Sequence, residues 1–159
     1  MVTILVTGCA GFIGSHVCTL LLDKGFSVVG VDNFDPFYDR AIKESNLVKL
    51  KTNTAFRFYE TDITAGFDVV EEKNIQAVIH LAAKAGVRPS IEDPAAYLKA
   101  NIVGTQKVHE FMQARSINKL VFASSSSVYG NAKKIPFSEE DNVDNPISPY
   151  AFTKKAGEL

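Results

Sequence analysis

Five short apolar runs, separated by longer mixed stretches, dominate the pattern of hydrophobic and polar positions along the chain. Most of these runs are almost entirely apolar, whereas the third alternates between apolar and polar residues. Runs of this length predict β-strands, and strands that are apolar on both faces are typical of a buried parallel sheet. The predicted strands comprise residues 2–6, 26–31, 54–60, 75–83 and 119–123.

The stretches between these strands carry helical signals. Apolar residues recur with helical spacing over residues 12–21 and 38–50, and the segment 62–73 is amphipathic. A long helix is predicted over 94–114, opened by a proline, and a last helix begins at about Pro149. Strands that alternate with helices predict an α/β fold with a doubly wound parallel sheet.

Three glycines, Gly8, Gly11 and Gly14, follow the first strand directly, and a helix starts over them. Glycine is needed where a Cβ would keep the backbone away from a diphosphate and where helix and strand pack closely. Backbone N–H groups and the positive end of the helix would then face the phosphates. The spacing differs from the usual Gly-x-Gly-x-x-Gly of dinucleotide sites, so a strand–helix turn without a ligand is the alternative.

The second strand closes on Asp32, 18 residues beyond Gly14. An acidic side chain at this point can accept hydrogen bonds from ribose hydroxyl groups and would repel a 2′-phosphate. The alternative is an ordinary acidic residue in a loop. Together with the glycine turn, Asp32 predicts binding of NAD in preference to NADP.

Other small and polar residues follow the carboxyl ends of the remaining strands. Asp62 comes after the third strand, Ala82 and Ala83 end the fourth, and four serines, residues 124–127, follow the fifth. Ligands of parallel sheets bind at this edge, where the strand order reverses. The sequence therefore predicts one binding site along the carboxyl edge of the sheet.

Tyr150 and Lys154 are spaced i, i+4 and so share one face of the last predicted helix. A neighbouring ammonium group favours the phenolate form of a tyrosine, which makes it a better base. A serine hydroxyl near the same reacting oxygen can share the proton. Taken alone, this spacing is weak evidence, because a partly exposed tyrosine beside a solvated lysine without any catalytic role is common. The position of the pair after the serine loop of the fifth strand favours the catalytic interpretation.

Composition narrows the classes of function. The net charge of −1 and the lack of a basic run argue against nucleic acid as the main partner. No apolar run approaches the roughly 18 residues of a membrane span, and no signal peptide is evident, so a cytoplasmic location is expected. Cys9 and Cys18 are expected to be small apolar fillers. His16, His80 and His109 give no ligand pattern, so we expect no metal site.

A series of short motifs, taken in order along the chain, resembles the extended branch of the short-chain dehydrogenase/reductase superfamily, the nucleotide-sugar epimerases and dehydratases. The motifs are Thr7-Gly8-x-x-Gly11-x-x-Gly14, Asp32-Asn33, Asp62-Ile63, Leu81-Ala82-Ala83, Asn101-x-x-Gly104-Thr105, Ser125-x-x-Val128-Tyr129-Gly130 and Tyr150-x-x-x-Lys154. The segment 82–90, with Asp32-Asn33-Phe34 and Tyr38-Asp39, is most similar to UDP-glucuronate 4-epimerases. The resemblance implies a Rossmann-type domain over residues 1–159.

The resemblance also implies roles for individual residues. Tyr150 would be the base, and Lys154 would lower the pKa of Tyr150 and hold the nicotinamide ribose. Ser125 would be the catalytic serine, and its neighbours Ser124 and Ser126 are the alternatives for this role. Cofactor contacts are implied for Gly8, Gly11, Phe12, Ile13, Gly14, Asp32, Asn33, Asp62, Ile63, Leu81, Ala82, Ala83, Asn101, Ser124, Tyr150 and Lys154. Substrate contacts are implied for Arg88, Ser125 and Ser126, and a surface charge is the alternative for Arg88.

The activity implied is an NAD-dependent 4-epimerisation of a UDP-sugar, UDP-glucuronate by the nearest similarity. Alternatives are a UDP-glucose 4-epimerase and a non-catalytic dinucleotide-binding module, although the latter would not need Tyr150, Lys154 and Ser125 together. A 4,6-dehydratase would carry an acidic pair where this chain has Ser126 and Ser127. A UDP-glucuronate decarboxylase would carry an active-site acid in the same loop, and this chain has none there.

Length is the main departure from the family, whose members run to about twice 159 residues. The last sheet strands and the substrate subdomain of the family lie beyond its Tyr-x-x-x-Lys helix. We therefore expect a truncated product that holds NAD weakly and does not turn over sugar nucleotides unaided. Related enzymes dimerise through two helices that correspond to residues 94–114 and 149–159, so a homodimer through these helices is expected.

Overall fold

The computed structural model describes residues 2–159, and within them five strands form one parallel sheet in the order β3-β2-β1-β4-β5. The chain moves outward from β1 through β2 to β3, then crosses back to β4 and β5, so the strand order reverses between β1 and β4. The predicted parallel sheet is confirmed. The strands are β1 Thr3–Thr7, β2 Ser27–Asp32, β3 Phe56–Glu60, β4 Ile75–His80 and β5 Leu120–Phe122.

Helices cover both faces of this sheet. They are α1 Phe12–Asp23, α2 Arg40–Lys51, α3 Val87–Glu92, α4 Pro94–Tyr97, α5 Gly104–Ala114 and α6 Pro149–Glu158. On β1, Ile4 and Val6 pack in one apolar cluster with Leu47 of α2, whereas Leu5 packs in a second cluster with Val108 of α5. Alternate residues of this central strand thus pack into two apolar cores, one on each face of the sheet, which explains why nearly every residue of the strand is apolar.

The buried face of the first helix differs from the sequence prediction. Phe12 and Ile13 are 77% and 63% exposed, while Gly14, Ser15 and Cys18 form the buried face of α1. Small side chains let the helix approach the sheet closely, and the large apolar ones are left at the carboxyl edge. Both cysteines are free and fully buried, as predicted, and burial raises the pKa of the Cys18 thiol to about 12.

Two connections also depart from the prediction. The amphipathic segment after β3 forms only a 3₁₀ turn, Ile63–Ala65, because Gly66 leaves helical geometry with a φ of 95°. The predicted helix over 94–114 is present, but the π-helical stretch Leu98–Val103 interrupts it between α4 and α5. The short helix α3 was not predicted. Within residues 2–159, no helix is both long and apolar enough to cross a membrane.

Candidate active site

A groove of about 520 Å³ crosses the carboxyl edge of the sheet, next to the point where the strand order reverses. This volume lies within the range of small-molecule and cofactor sites. The ends of β1, β2, β3 and β4 all contribute to its walls. Its lining includes these predicted cofactor residues: Gly8, Gly11, Phe12, Ile13, Gly14, Asp32, Asn33, Asp62, Ile63, Leu81, Ala82 and Ala83.

The glycine turn after β1 leaves no room for side chains at two of its positions. Gly8 has a φ of 72°, and a Cβ there would lie 2.8 Å from the backbone N of Ala82. A Cβ on Gly14 would lie 2.1 Å from the Gly8 carbonyl oxygen. Because both neighbours are backbone atoms, glycine is required at these positions to join the turn to β4 and to α1.

The start of α1 presents uncapped donors to the groove. Gly11 is the N-cap and supplies no side-chain acceptor. Within residues 2–159, no hydrogen-bond acceptor meets the backbone N–H groups of Phe12, Ile13 and Gly14. Free N–H groups at the positive end of a 12-residue helix favour an anionic group.

Asp32 lies at the end of β2 and is only 6% exposed. Its Oδ1 accepts from the backbone N of Phe34 at 2.8 Å, and its Oδ2 accepts from that of Ala10 at 3.1 Å. The buried ammonium group of Lys43 lies 3.4 Å from Oδ1. A carboxylate oxygen has two acceptor positions, so Oδ2 keeps one for a ligand.

The sequence analysis did not predict Lys43 in the groove. Lys43 lines the cavity and is on the buried stripe of α2 with Leu47 and Leu50. The available signal was a lysine at the start of an apolar i, i+4, i+7 stripe, 11 residues after the strand-end Asp32. Lysine is almost never fully buried unless it is paired, so this position called for an acidic partner.

Asp62, after β3, forms a second carboxylate wall of the groove. Burial raises its pKa, but hydrogen bonds from Thr64 and Asn33 and the charge of Lys99 outweigh that effect, so the pKa lies below its ordinary value. Asn33 Nδ2 donates to Asp62 Oδ2 at 3.0 Å. The loops after β2 and β3 are therefore joined beside the groove.

His80 anchors the wall that follows β4. The Thr7 hydroxyl oxygen accepts from the backbone N of Leu81 and of Ala82, at 3.2 and 3.1 Å, so its own hydrogen is free to bond His80 Nδ1 at 2.7 Å. The other ring nitrogen then donates to the Thr105 hydroxyl at 3.0 Å. Burial lowers the pKa of His80 to about 4, which agrees with this neutral tautomer.

Lys154, on α6, is the best-defined of the predicted catalytic residues. It is 5% exposed, and its ammonium group donates to the carbonyl oxygen of Ala123, after β5, at 2.8 Å. It also lies 5.0 Å from the centre of the Phe122 ring. Burial lowers the pKa of Lys154 to about 8. Ala123 lines the groove, so Lys154 lies directly behind its wall.

Tyr150 and the serines are less tightly arranged. The backbone N of Tyr150 donates to Ser90 Oγ at 3.1 Å, and its ring meets that of Tyr97 edge-on at 6.2 Å. Ser125 Oγ accepts from the backbone N of Ser127 and so caps the 3₁₀ turn Ser126–Tyr129. Within the part of the chain that the structure describes, no hydrogen bond joins the Tyr150 hydroxyl to Ser125 or Lys154.

Several predicted residues lie outside the groove lining. Asn101 is behind it, where its side-chain amide bonds the backbone of Lys84. Arg88 is exposed on α3, and Ser124 and Ser126 are exposed after β5. The Ser124 hydroxyl donates to Glu158. The roles assigned to these side chains from sequence stay predictions.

Comparison with known proteins finds similarity to sugar-nucleotide enzymes. The family model described as GDP-mannose 4,6 dehydratase matches residues 5–159. The chain is 49% identical over 158 residues to a UDP-glucuronate 4-epimerase of Thermodesulfobacterium geofontis, covering 98% of the chain and 49% of that relative. It is 44% identical over 164 residues to UDP-glucuronate 4-epimerase 1 of Arabidopsis thaliana, covering 99% of the chain and 37% of that relative.

A solved structure shows the same fold. The UDP-glucuronic acid 4-epimerase of Bacillus cereus, crystallised with UDP-glucuronic acid and NAD, matches with a TM-score of 0.88 and 40% identity. The match covers 98% of this chain and 50% of that one. The chain therefore spans about half the length of the relatives it matches.

Proposed function

The chain belongs to the family whose model is described as GDP-mannose 4,6 dehydratase, an extended short-chain dehydrogenase/reductase family, and we propose that it is the NAD-binding part of a UDP-glucuronate 4-epimerase. The observation that carries the proposal is the groove, where a glycine turn, a buried aspartate and a buried lysine meet at the switch point of a parallel sheet. The likeness to the Bacillus cereus enzyme, crystallised with NAD, supports it.

The residues of the groove fit NAD. The free N–H groups at the start of α1 suit its diphosphate, and Gly11, the N-cap, has no side chain that could cap or cover them. Asp32 Oδ2 keeps an acceptor position for a ribose hydroxyl. Asn33, Asp62 and Ile63 would lie beside the adenosine, and Leu81, Ala82 and Ala83 beside the middle of the cofactor. Asn101 would hold that wall in place, and Ser124 would flank the nicotinamide end.

Chemistry in the proposed site divides between the cofactor and the chain. The chemistry that NAD supplies when bound is reversible acceptance of a hydride from C4 of the sugar. Tyr150 would take the proton of the 4-hydroxyl at its phenolate oxygen, and Ser125 would share that proton. Lys154, with a pKa of about 8, stays largely protonated at neutral pH and so favours the phenolate.

The substrate proposed is a UDP-sugar, with contacts from Ser125, Ser126 and Arg88. Ser126 and Ser127 stand where a 4,6-dehydratase would carry acidic residues, which favours the epimerase. We further propose that the protein is a cytoplasmic homodimer and that it binds neither nucleic acid nor membranes. Exposed Leu98, Val103 and Phe152 on the two predicted dimer helices support the homodimer.

The test is Tyr150→Phe in a protein of the relatives' full length that carries this chain. We expect turnover of UDP-glucuronate to fall by about a hundredfold or more, the range for removal of a general base, while NAD binding by calorimetry is retained. Tyr129→Phe is the matched control, because the Tyr129 ring stacks on Phe137 at 4.4 Å and has no proposed proton role. Turnover above about one hundredth of the original in Tyr150→Phe would refute the assignment.

A further inference from the structure

An ion pair joins the two walls of the groove. Lys84 Nζ lies 3.0 Å from Asp35 Oδ2 and 3.3 Å from Asp35 Oδ1. The two side chains are 25% and 28% exposed, and both line the same cavity. Ion pairs that are fully exposed contribute little to stability because water screens the attraction, but the side chains of this pair are about three-quarters buried.

The side chain of Asn101 holds the backbone of Lys84. Its N–H donates to Asn101 Oδ1 at 2.8 Å, and its carbonyl accepts from Asn101 Nδ2 at 3.0 Å. Asn101 is itself buried in the π-helical stretch and also donates to the Thr153 hydroxyl. The loop after β4 is therefore fixed to both neighbouring helical segments, and the backbone from which the Lys84 side chain extends is held in place.

Asp35 is fixed in a comparable way on the opposite wall. Its backbone N donates to Asn33 Oδ1 at 2.9 Å, and its Oδ1 accepts from the backbone N of Phe37 at 3.0 Å. These bonds form successive Asx turns in the loop after β2. The carboxylate is thus held by the loop that carries it, independently of Lys84.

The sheet order decides where this bond runs. β2 and β4 lie on either side of β1, so a bond between the loops that follow them spans the groove at the carboxyl end of β1, where the glycine turn lies. A long ligand that lies along the carboxyl edge would meet this bond as it enters or leaves. Neither Asp35 nor Lys84 has a part in the contacts proposed above for the diphosphate or the ribose.

We propose that the Asp35–Lys84 ion pair is a strap across the groove that slows both the entry and the release of the dinucleotide. This inference rests on the proposed function, since it needs a dinucleotide in the groove. An epimerase returns its cofactor to the starting form in each turnover, so retention over many turnovers suits the reaction. A strap changes the rates of binding in both directions, whereas a direct ligand contact changes affinity.

The experiment measures association and dissociation rate constants of NADH with the 159-residue chain by stopped-flow fluorescence. Lys84→Gln and Asp35→Asn each open the strap, and we expect both rate constants to rise about fivefold while the dissociation constant changes less than twofold. Glu60→Gln is the matched control, because it removes a 3.0 Å pair with Arg40 that is half exposed and outside the groove lining. Raising the salt concentration should speed both steps in the original chain but not in Lys84→Gln.

The outcomes separate the strap from the function it rests on. If NADH binds and the rates of the variants equal those of the original chain, the strap is wrong and the proposed function stands. If only dissociation accelerates and affinity falls with it, the two side chains are direct ligands, and the strap is again wrong. If a folded original chain binds no NADH, both the strap and the proposed function are overturned.

Discussion

The two sides of the groove are built differently. On the nucleotide side, the turn after β1 and Asp32 are positioned by main-chain groups, and Asp32 receives two backbone N–H bonds and the Lys43 ammonium group. On the catalytic side, the groups come from a three-residue edge strand, a serine loop and α6. Lys154 there is buried against a carbonyl oxygen, and within residues 2–159 no ion pair joins it to a carboxylate.

The two sides differ in how their buried charges are compensated. The buried charges of the nucleotide side form a pair, so neither is isolated. The buried charge of the catalytic side is offset only by a neutral acceptor and the Phe122 ring, and its pKa falls to about 8 as a result. Perturbed groups of this kind cluster at functional sites, where a reaction requires them.

The largest effect should come from breaking the pair on the nucleotide side. Asp32→Asn leaves the Lys43 charge buried without a carboxylate, and we expect a loss of about 3–5 kcal/mol in the free energy of unfolding. Urea denaturation followed by circular dichroism measures it. The double variant Asp32→Asn/Lys43→Met removes both charges and should recover at least half of that loss. A loss below about 1 kcal/mol in the single variant would show that the pair is not effectively buried.

A smaller effect of opposite sign is expected on the catalytic side. A pKa of about 8 instead of 10.5 corresponds to roughly 3 kcal/mol of unfavourable charge burial at pH 7, which Lys154→Met removes. The substitution also removes the hydrogen bond to Ala123, which stabilises the fold by about 1 kcal/mol. We expect Lys154→Met to stabilise the fold by about 2 kcal/mol at pH 7.

The pH dependence sharpens this second prediction. Because the folded pKa of Lys154 lies below the unfolded one, the unfolded chain holds the proton of this residue more tightly between about pH 8 and 10.5, so the contribution of Lys154 to stability rises with pH over that interval. The buried Cys18 thiol, whose pKa is raised, contributes a change of the opposite sign above about pH 9 in every variant. Lys154→Met should lose this rise, whereas Lys155→Met, on the same helix but in an ion pair with Glu158, should keep it. Parallel stability curves for the original chain and Lys154→Met would contradict the assignment.

The smallest effect should follow from Ser125→Ala. Ser125 caps a single 3₁₀ turn, so the free energy of unfolding should fall by no more than about 1 kcal/mol. NADH binding rates should not change, because Ser125 is outside the groove lining. Ser126→Ala, at an exposed neighbour, is the control for the loop. A change in NADH affinity above about threefold would place Ser125 against the cofactor instead.

Sequence patterns predicted the strands and the glycine turn well and the burial of helix faces poorly. Gly14 was recognisable because its requirement is local: a Cβ there would meet the backbone of Gly8, in the same turn. Gly8 has the positive φ of a tight turn, but the backbone that excludes its Cβ is that of Ala82, on the distant loop after β4. The outward position of Phe12 and Ile13 was missed, since apolar spacing alone does not show which face meets the sheet and which meets a groove. The missing helix after β3 has the same origin, because Phe67 and Val70 pack in the core without helical geometry.

Local patterns along the chain were enough to predict the parallel sheet, the glycine turn and the residues that follow each strand end. Three contacts are visible only in the folded molecule: Lys43 with Asp32, Lys84 with Asp35 across the groove, and Lys154 with the carbonyl oxygen of Ala123. The cause is the distance along the chain over which each kind of interaction acts. Strand and turn propensities act over a few neighbouring residues, whereas a bond between two loops depends on the order in which distant strands assemble.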